Sequence, residues 1–355
     1  MPDEAPPGAD TLRPTIAVDA MGGDHAPEEI VAGAVAAAAE RGISVVLAGP
    51  PAQLRALLPG GLPPGLVRIA QAEDSIGMGE GALASRRRPR SSIAVACQLV
   101  RRGQAGAVVS AGSTGGIVAT ARLRLRSVPG LIRPALTVVL PTRPNPTFLV
   151  DAGAIADPKP EMLLQFAQLG VAYAQIAHGI DEPQVGLLTI GAEPGKGNRL
   201  TRRAYELLTE PPPHGALPIR FAGNVEGSDL LSGLVDVIVT DGFTGNVALK
   251  TLEGAATFAA GQLRAVIEGS RAARLGALLQ RQGLRELTRR MDTESYGGAA
   301  LLGLEGTVVI AHGASTARGV TSACLLAAEL VQGQITEKIR ERLGHSRGAH
   351  FLRRT

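Results

Sequence analysis

Tryptophan is absent from the 355 residues, and only six Phe and three Tyr occur. A chain this poor in rings lacks the stacking platforms on which single-stranded nucleic acid is held. Charge does not point to nucleic acid either, because the formal net charge is only +4 and the high pI reflects arginine's resistance to deprotonation. Cysteine is limited to Cys97 and Cys324, each in an apolar, helix-like run without a neighbouring cation to stabilise a thiolate, so both read as reduced core residues. No N-terminal stretch resembles a signal peptide and no window has the apolar length of a membrane span, which sets the expectation of a cytoplasmic protein. Several catalytic signatures are missing as well. No G-x-S-x-G sequence follows a strand-like apolar run, so the elbow of a serine nucleophile is missing. Gly191 to Gly195 is one residue short of a Walker A loop, with Gly197 where its Ser or Thr belongs. The same segment lacks the third glycine of a dinucleotide fingerprint.

What remains is 45% hydrophobic and long enough for a large core. Apolar, β-branched runs recur as "TIAVDA", "ISVVLAG", "GAVVSAG", "ALTVVLP", "TFLVDAG", "QVGLLTIG", "LPIRFAG", "VDVIVTDG" and "GTVVIAHG". Between them lie Ala- and Leu-rich segments with apolar residues three and four apart, started by Pro27 and Pro160 and, in the first case, stopped by Gly42. Strands alternating with helices predict an α/β fold: a Rossmann-like open, mostly parallel sheet covered by helices on both faces. We read residues 1–14 as an N-terminal tail, 15–343 as a single catalytic domain, and 344–355 as a basic, patternless C-terminal tail.

Seven of the runs end in a small or polar residue followed by glycine-rich sequence: Asp19 before "MGGDH", Ser110 before "AGSTGG", Asp151, Gly191, Gly223, Asp241 and His312. Ligands of open parallel sheets bind beyond the carboxyl ends of the strands, so the loops predict one shared polar crevice. Residue usage sharpens this. Of four lysines, Lys159, Lys196 and Lys250 lie in or just after these loops, and of four asparagines, Asn198, Asn224 and Asn246 each follow a glycine there. Lysine supplies a compact charge suited to phosphate or a developing oxyanion, whereas the plainer role of asparagine is a turn or helix cap. In "VDAMGGDHAP", Asp19, Asp24 and His25 crowd around Gly22 and Gly23, which fits a metal site, a phosphate loop or a turn. The wider set of acids, with Asp151, Asp157 and Asp241, lacks zinc spacing and leaves a magnesium site open. Phosphate is better supported, because "SAGSTGG" places Ser113, Thr114 and exposed amides where a strand hands over to a helix.

Taken together, "AVDAMGGDHAPEEIVAGA", "VVSAGSTGG", "DAGAIADPKPEMLLQFAQLG", "VGLLTIGAEPGKGN", "NVEGSDLLSGLVDVIVTDGFTGNVALKTLEG" and "YGGAALLGLEGTVVIAHGAS" closely resemble the bacterial phosphate acyltransferases of phospholipid synthesis, from about Thr15 to about Leu343. The resemblance implies a fold similar to phosphate acetyltransferase and isopropylmalate dehydrogenase. It also implies attack of inorganic phosphate on a long-chain acyl-[acyl-carrier protein], giving acyl phosphate and free carrier protein for phosphatidic acid synthesis. Neither a metal nor a cofactor is then required. On this reading Lys196, Asn198 and Asn224 neutralise or donate to the reacting groups, and His312 is the proton donor to the thiolate or a strand-end structural imidazole. Asp19, Gly22, Gly23, Asp24, His25, Ser113, Thr114, Asp241, Asn246 and Lys250 line the phosphate and substrate site. Ser113 departs from the family's usual Asn, and Pro158 from its usual Cys.

The segment 265–295 reads as a projecting amphipathic stretch. From Arg271 to Met291, Leu275, Leu278, Leu279, Leu284, Leu287 and Met291 recur at helical spacing among arginines. Pattern alone favours a helix packed on the body or on a partner subunit. The family resemblance shifts the expectation to a homodimer whose helical tips, through Leu275, Leu278 and Leu279, touch an anionic membrane peripherally. The downstream glycerol-3-phosphate acyltransferase is a further partner on this reading, and nucleic acid is not.

Overall fold

The computed structural model describes residues 13–211, 218–285 and 297–351, the last eight of these as backbone only. Its strands are β1 Thr15–Asp19, β2 Ser44–Gly49, β3 Val67–Gln71, β4 Ala107–Ser110, β5 Ala135–Leu140, β6 Thr147–Val150, β7 Gln184–Leu188, β8 Arg220–Val225, β9 Val237–Val239, β10 Ala299–Leu302 and β11 Thr307–Ile310. They form one sheet in the order β3-β2-β1-β4-β11-β10-β5-β6-β9-β7-β8. β3, β2, β1, β4 and β11 are mutually parallel. β10 runs against both β11 and β5, β6 runs against β5, and β6, β9, β7 and β8 are parallel to one another.

Consecutive strand residues enter opposite cores, which is why the runs are apolar on both faces. Ile16 and Val18 of β1, Phe148 and Val150 of β6, and Val237 and Val239 of β9 join one core, whereas Ala17, Leu149 and Ile238 join the other. The first core is covered by α1 (Glu28–Arg41), α2 (Pro51–Leu57), α6 (Pro160–His178), α7 (Arg199–Thr209), α10 (Ala317–Gln332) and α11 (Ile335–Phe351). The second is covered by α3 (Ala84–Arg87), α4 (Ser92–Arg101), α5 (Thr114–Leu125) and, partly, the start of α8 (Gly242–Glu268). Gly42, with φ 62°, ends α1 as read from the sequence. Cys97 and Cys324 are buried free thiols, and burial pushes each up to about 12.

The mostly parallel α/β reading is borne out, with two strands added. "VRIAQ" (β3) is half-polar and "AALL" (β10) is short and rich in helix formers, so neither carries a strong strand pattern. At the C-terminus, α11 continues through Phe351, into the segment read as a patternless tail. The arm is also subdivided. α8 ends at Glu268, Ser270 accepts the Ala273 amide to cap α9 (Arg271–Leu279), and α9 breaks at Gln280. Leu287 and Met291 lie outside the described residues, as do residues 1–12 and 352–355 of the two tails. No helix among the described residues is long and apolar enough to cross a membrane.

Candidate functional site

The seven glycine-rich loops fall into two sets, because the strands that launch them have opposite senses. β1, β4 and β11 deliver Asp19 to His25, Ser110 to Thr114 and His312. β6, β9, β7 and β8 deliver Asp151, Asp241 to Asn246, Lys196 to Asn198 and Asn224. Neighbouring strands twist by about 20–25°, so the five steps from β4 to β9 rotate strand direction by more than a quarter turn. The single-crevice reading therefore becomes two polar walls whose mutual facing depends on that twist, because loop sequence carries no strand sense.

In the first wall the Ser110 hydroxyl donates to Asp19 Oδ2 at 2.7 Å and accepts the Gly112 amide at 3.1 Å. Asp19 is buried, and burial raises its carboxyl above the ordinary carboxylate range, opposed by the Ser110 and Ser92 hydroxyls and the Met21 amide. Gly22 lies so close that a Cβ there would stand 2.5 Å from Asp19 Oδ2 and 3.0 Å from the Gly112 nitrogen. Only glycine permits this approach of the first loop to the second. The Asp24 amide donates to the Gly313 carbonyl at 2.8 Å, tying the first loop to that of β11. Asp24, His25 and His312 are exposed. His312 Nδ1 accepts the Ala314 amide at 3.3 Å, which places the proton of a neutral ring on Nε2.

Ser113 is the N-cap of α5. Its hydroxyl accepts the Gly116 amide at 3.2 Å and donates to the Glu80 carbonyl at 2.9 Å. That occupies the Ser113 side chain in holding the loop, while the amides of Thr114 and Gly115, in the first turn, have no intrahelical acceptor. Both residues are exposed. The 74–90 loop that pins Ser113 is itself clamped by Arg88, which reaches Asp74 at 2.6 Å and Glu80 at 2.9 Å.

In the second wall Asp151 is fully buried and accepts four amides, from Leu136, Gly153, Ala154 and Ile155, at 2.7–3.1 Å. Its oxygens are thus committed to backbone, and burial still leaves its carboxyl raised. Asp241 caps α8, accepting the Thr244 amide at 2.7 Å and the Thr244 hydroxyl at 2.8 Å. Asn246 lies beside Gly153, and Lys250 is paired with Glu253 at 2.7 Å. Asn198 caps α7, its Oδ1 accepting the Thr201 amide at 3.0 Å. Lys196 is exposed between Gly195 and Gly197, whose φ values of 89° and 93° turn the chain out on either side of it. Asn224 donates to the Glu193 carbonyl at 2.9 Å, joining the ends of β7 and β8.

Lys196 and Asn224 are therefore brought together on one loop pair, as are Asp241 and Asn246, while Asp19, Gly22, Gly23 and Asp24 share the other wall with Ser113 and His312. Sequence reading missed Ser110 as the partner of Asp19 and Arg88 as the clamp on the Ser113 loop. Ser110 was legible only as a polar residue ending an otherwise apolar strand, and Arg88 as one arginine in a run of three.

A family model described as fatty acid synthesis protein matches residues 14–338. A phosphate acyltransferase from Thermobifida fusca is 59% identical over 352 residues, 99% of this chain and 96% of that protein. One from Thermus thermophilus is 48% identical over 331 residues, 92% of this chain and 98% of that protein. Among solved structures, a phosphotransacetylase from Streptococcus pyogenes is similar in fold, with a TM-score of 0.58 at 16% identity, covering 90% of this chain and 94% of that one.

Proposed function

The chain belongs to the fatty acid synthesis protein family, with phosphate acyltransferases among its relatives, and on that premise we propose that it moves a long-chain acyl group from acyl-[acyl-carrier protein] to inorganic phosphate. A phosphate oxygen attacks the thioester carbonyl carbon, the tetrahedral oxyanion collapses, and the C–S bond breaks. The thiolate takes up the proton released by hydrogen phosphate, so acyl phosphate and the free carrier thiol result. Acyl phosphate then supplies the acyl group for phosphatidic acid and phospholipid synthesis. A thiolate leaves readily, so the protein's task is to position phosphate and stabilise developing charge.

The observation that carries the site assignment is the exposed N-terminus of α5, where Ser113 holds the loop and leaves the first-turn amides for an anion. Thr114 adds its hydroxyl there, and the Asp19–Ser110 pair fixes the Gly112 amide beside Gly22 and Gly23. Asp24 and His25 orient the loop or touch substrate. Lys196, with Asn224, faces the oxyanion; Asn198, Asp241, Asn246 and Lys250 shape the second wall. His312 Nε2–H hydrogen-bonds the departing sulfur, whose proton comes from the hydrogen phosphate.

We also propose a cytoplasmic homodimer with peripheral membrane contact that hands its product to a glycerol-3-phosphate acyltransferase; exposed apolar side chains support the dimer and membrane contacts. Along α8, Phe243, Val247, Phe258 and Val266 are exposed, and α9 exposes Leu275, Leu278 and Leu279 beside Arg271 and Arg274.

The test is direct. Protein, phosphate and long-chain acyl-[acyl-carrier protein] are incubated and acyl phosphate is trapped with hydroxylamine, in parallel with acyl-coenzyme A. Acyl hydroxamate from the carrier thioester, at a kcat/KM above that with acyl-coenzyme A, is expected. Turnover of acyl-coenzyme A alone assigns the protein to phosphotransacetylase-like chemistry, and no turnover of either thioester leaves a non-catalytic scaffold.

A further inference from the structure

From Gly81 to Val150 the sequence contains no acidic residue and eleven arginines. The chain's net +4 is thus a +11 segment set against −7 elsewhere. The fold gathers part of this segment on one face. Residues 80–89 run beside α5 from its first turn to its last: the Ser113 hydroxyl bonds the Glu80 carbonyl at 2.9 Å, and the Arg124 guanidinium bonds the Pro89 carbonyl at 2.9 Å. α3 therefore lies along α5, and Arg86 and Arg87 of α3 and Arg122 of α5 are all exposed.

The charge of this face is not internally cancelled. Arg88 is neutralised by Asp74 and Glu80, and Arg90 by Glu73. Arg86, Arg87 and Arg122 have no ion pair among the described residues. Two apolar side chains stand among them, Leu83 at 69% and Leu123 at 50% exposure. Apolar anchors ringed by arginine are the composition of a protein docking surface, and uncompensated charge of one sign steers an oppositely charged partner. The face also leads to the reaction. Thr114, Val118 and Arg122 follow at four-residue spacing, so Arg122 stands about 12 Å along the helix from the α5 N-terminus.

We propose that the α3–α5 face docks an acidic protein domain. On the function proposed above, on which this rests, that domain is the carrier protein, held so that its thioester arm reaches the first turn of α5. Arg86, Arg87 and Arg122 make the electrostatic contact, and Leu83 and Leu123 are the apolar anchors.

The test uses the full chain and the variant Arg86→Glu/Arg87→Glu/Arg122→Glu, with Arg86→Gln/Arg87→Gln/Arg122→Gln as a milder change, each checked for native circular dichroism. Acyl phosphate formation is measured with acyl-[acyl-carrier protein] and with the acyl-pantetheine thioester that lacks the protein. The reversal is expected to lower kcat/KM for the carrier thioester by about tenfold or more, mainly through KM, and to remove its salt dependence. The Gln variant falls between, and acyl-pantetheine turnover stays at the wild-type value. No loss on the carrier thioester, or an equal loss on both thioesters, overturns the proposal. Binding of holo-carrier protein by fluorescence anisotropy separates docking from catalysis: wild-type binding lost in the reversal supports the surface even if no acyl phosphate forms. Carrier binding intact in the reversal, with loss of binding to phosphatidylglycerol vesicles, makes the face a membrane contact and overturns the proposal.

Discussion

Asp19 and Ser110, 91 residues apart in sequence, meet at 2.7 Å at the ends of adjacent parallel strands, and their hydrogen bond sets the spacing of the two glycine loops above them. Burial holds the Asp19 proton to higher pH in the folded protein than in the unfolded chain. Its contribution to stability is therefore fully present below the ordinary carboxylate range and is lost as pH rises through the raised folded value. Asp19→Asn, which stays neutral, is expected to gain stability relative to wild type as pH rises from 4 to 8. Asp19→Ala leaves the Ser110 hydroxyl without its acceptor and costs about 1–3 kcal/mol. Urea denaturation across that pH range checks both, and a wild-type to Asn difference that shrinks with rising pH contradicts the assignment.

Gly245 is a packing requirement of the second wall. A methyl group there would fall onto the Asp151 carbonyl oxygen, a backbone atom held in place by the four amides on the Asp151 side chain. Gly245→Ala is expected to destabilise by about 3 kcal/mol or more. Gly254→Ala, with open space around it, should be neutral or slightly stabilising. Thermal unfolding of the two variants separates them.

Lys196 and Asn198 are two residues apart and do different work. Lys196→Ala is expected to lower kcat by about a hundredfold or more without changing the melting temperature, as for a charge met only in the transition state. Asn198→Ala should cost about 1 kcal/mol through loss of the α7 cap, and Asn198→Asp should restore that stability. If Asn198→Asp recovers stability while turnover stays low, Asn198 also touches substrate; recovery of both leaves it a cap.

Leu278 and Leu279 are exposed at 61% and 79% on a helix with no buried residue. Leu278→Glu with Leu279→Glu should abolish co-sedimentation with anionic vesicles and leave turnover in solution unchanged. Vesicle binding retained by the double variant removes α9 as the membrane contact.

Phe258, at 69% exposure, stands about four turns along α8 from Phe243 and on the same side of the helix. Phe258→Glu is expected to shift the light-scattering mass from dimer toward monomer. An unchanged mass places the subunit contact elsewhere.

The alternating strands and helices, the glycine-rich strand ends and the unusual placement of lysine and asparagine are legible along the chain. Each of these is written in short-range periodicity or composition. Which loops share a wall comes from long-range strand pairing, because the reversal of sense at β10, β5 and β6 is a property of how the strands pair. The tertiary structure also turned Ser113, Asn198 and Asp241 into helix caps as well as candidate ligands, since a polar residue after a strand reads alike in both roles until its acceptor and donor are located. The VDAMGGDHAP segment shows the same division. Gly22 and Gly23 announce a tight approach, but what they approach beyond Asp19, the Ser110 hydroxyl and the Ala111–Gly112 segment, comes from a strand nearly a hundred residues on, and no local pattern encodes that distance.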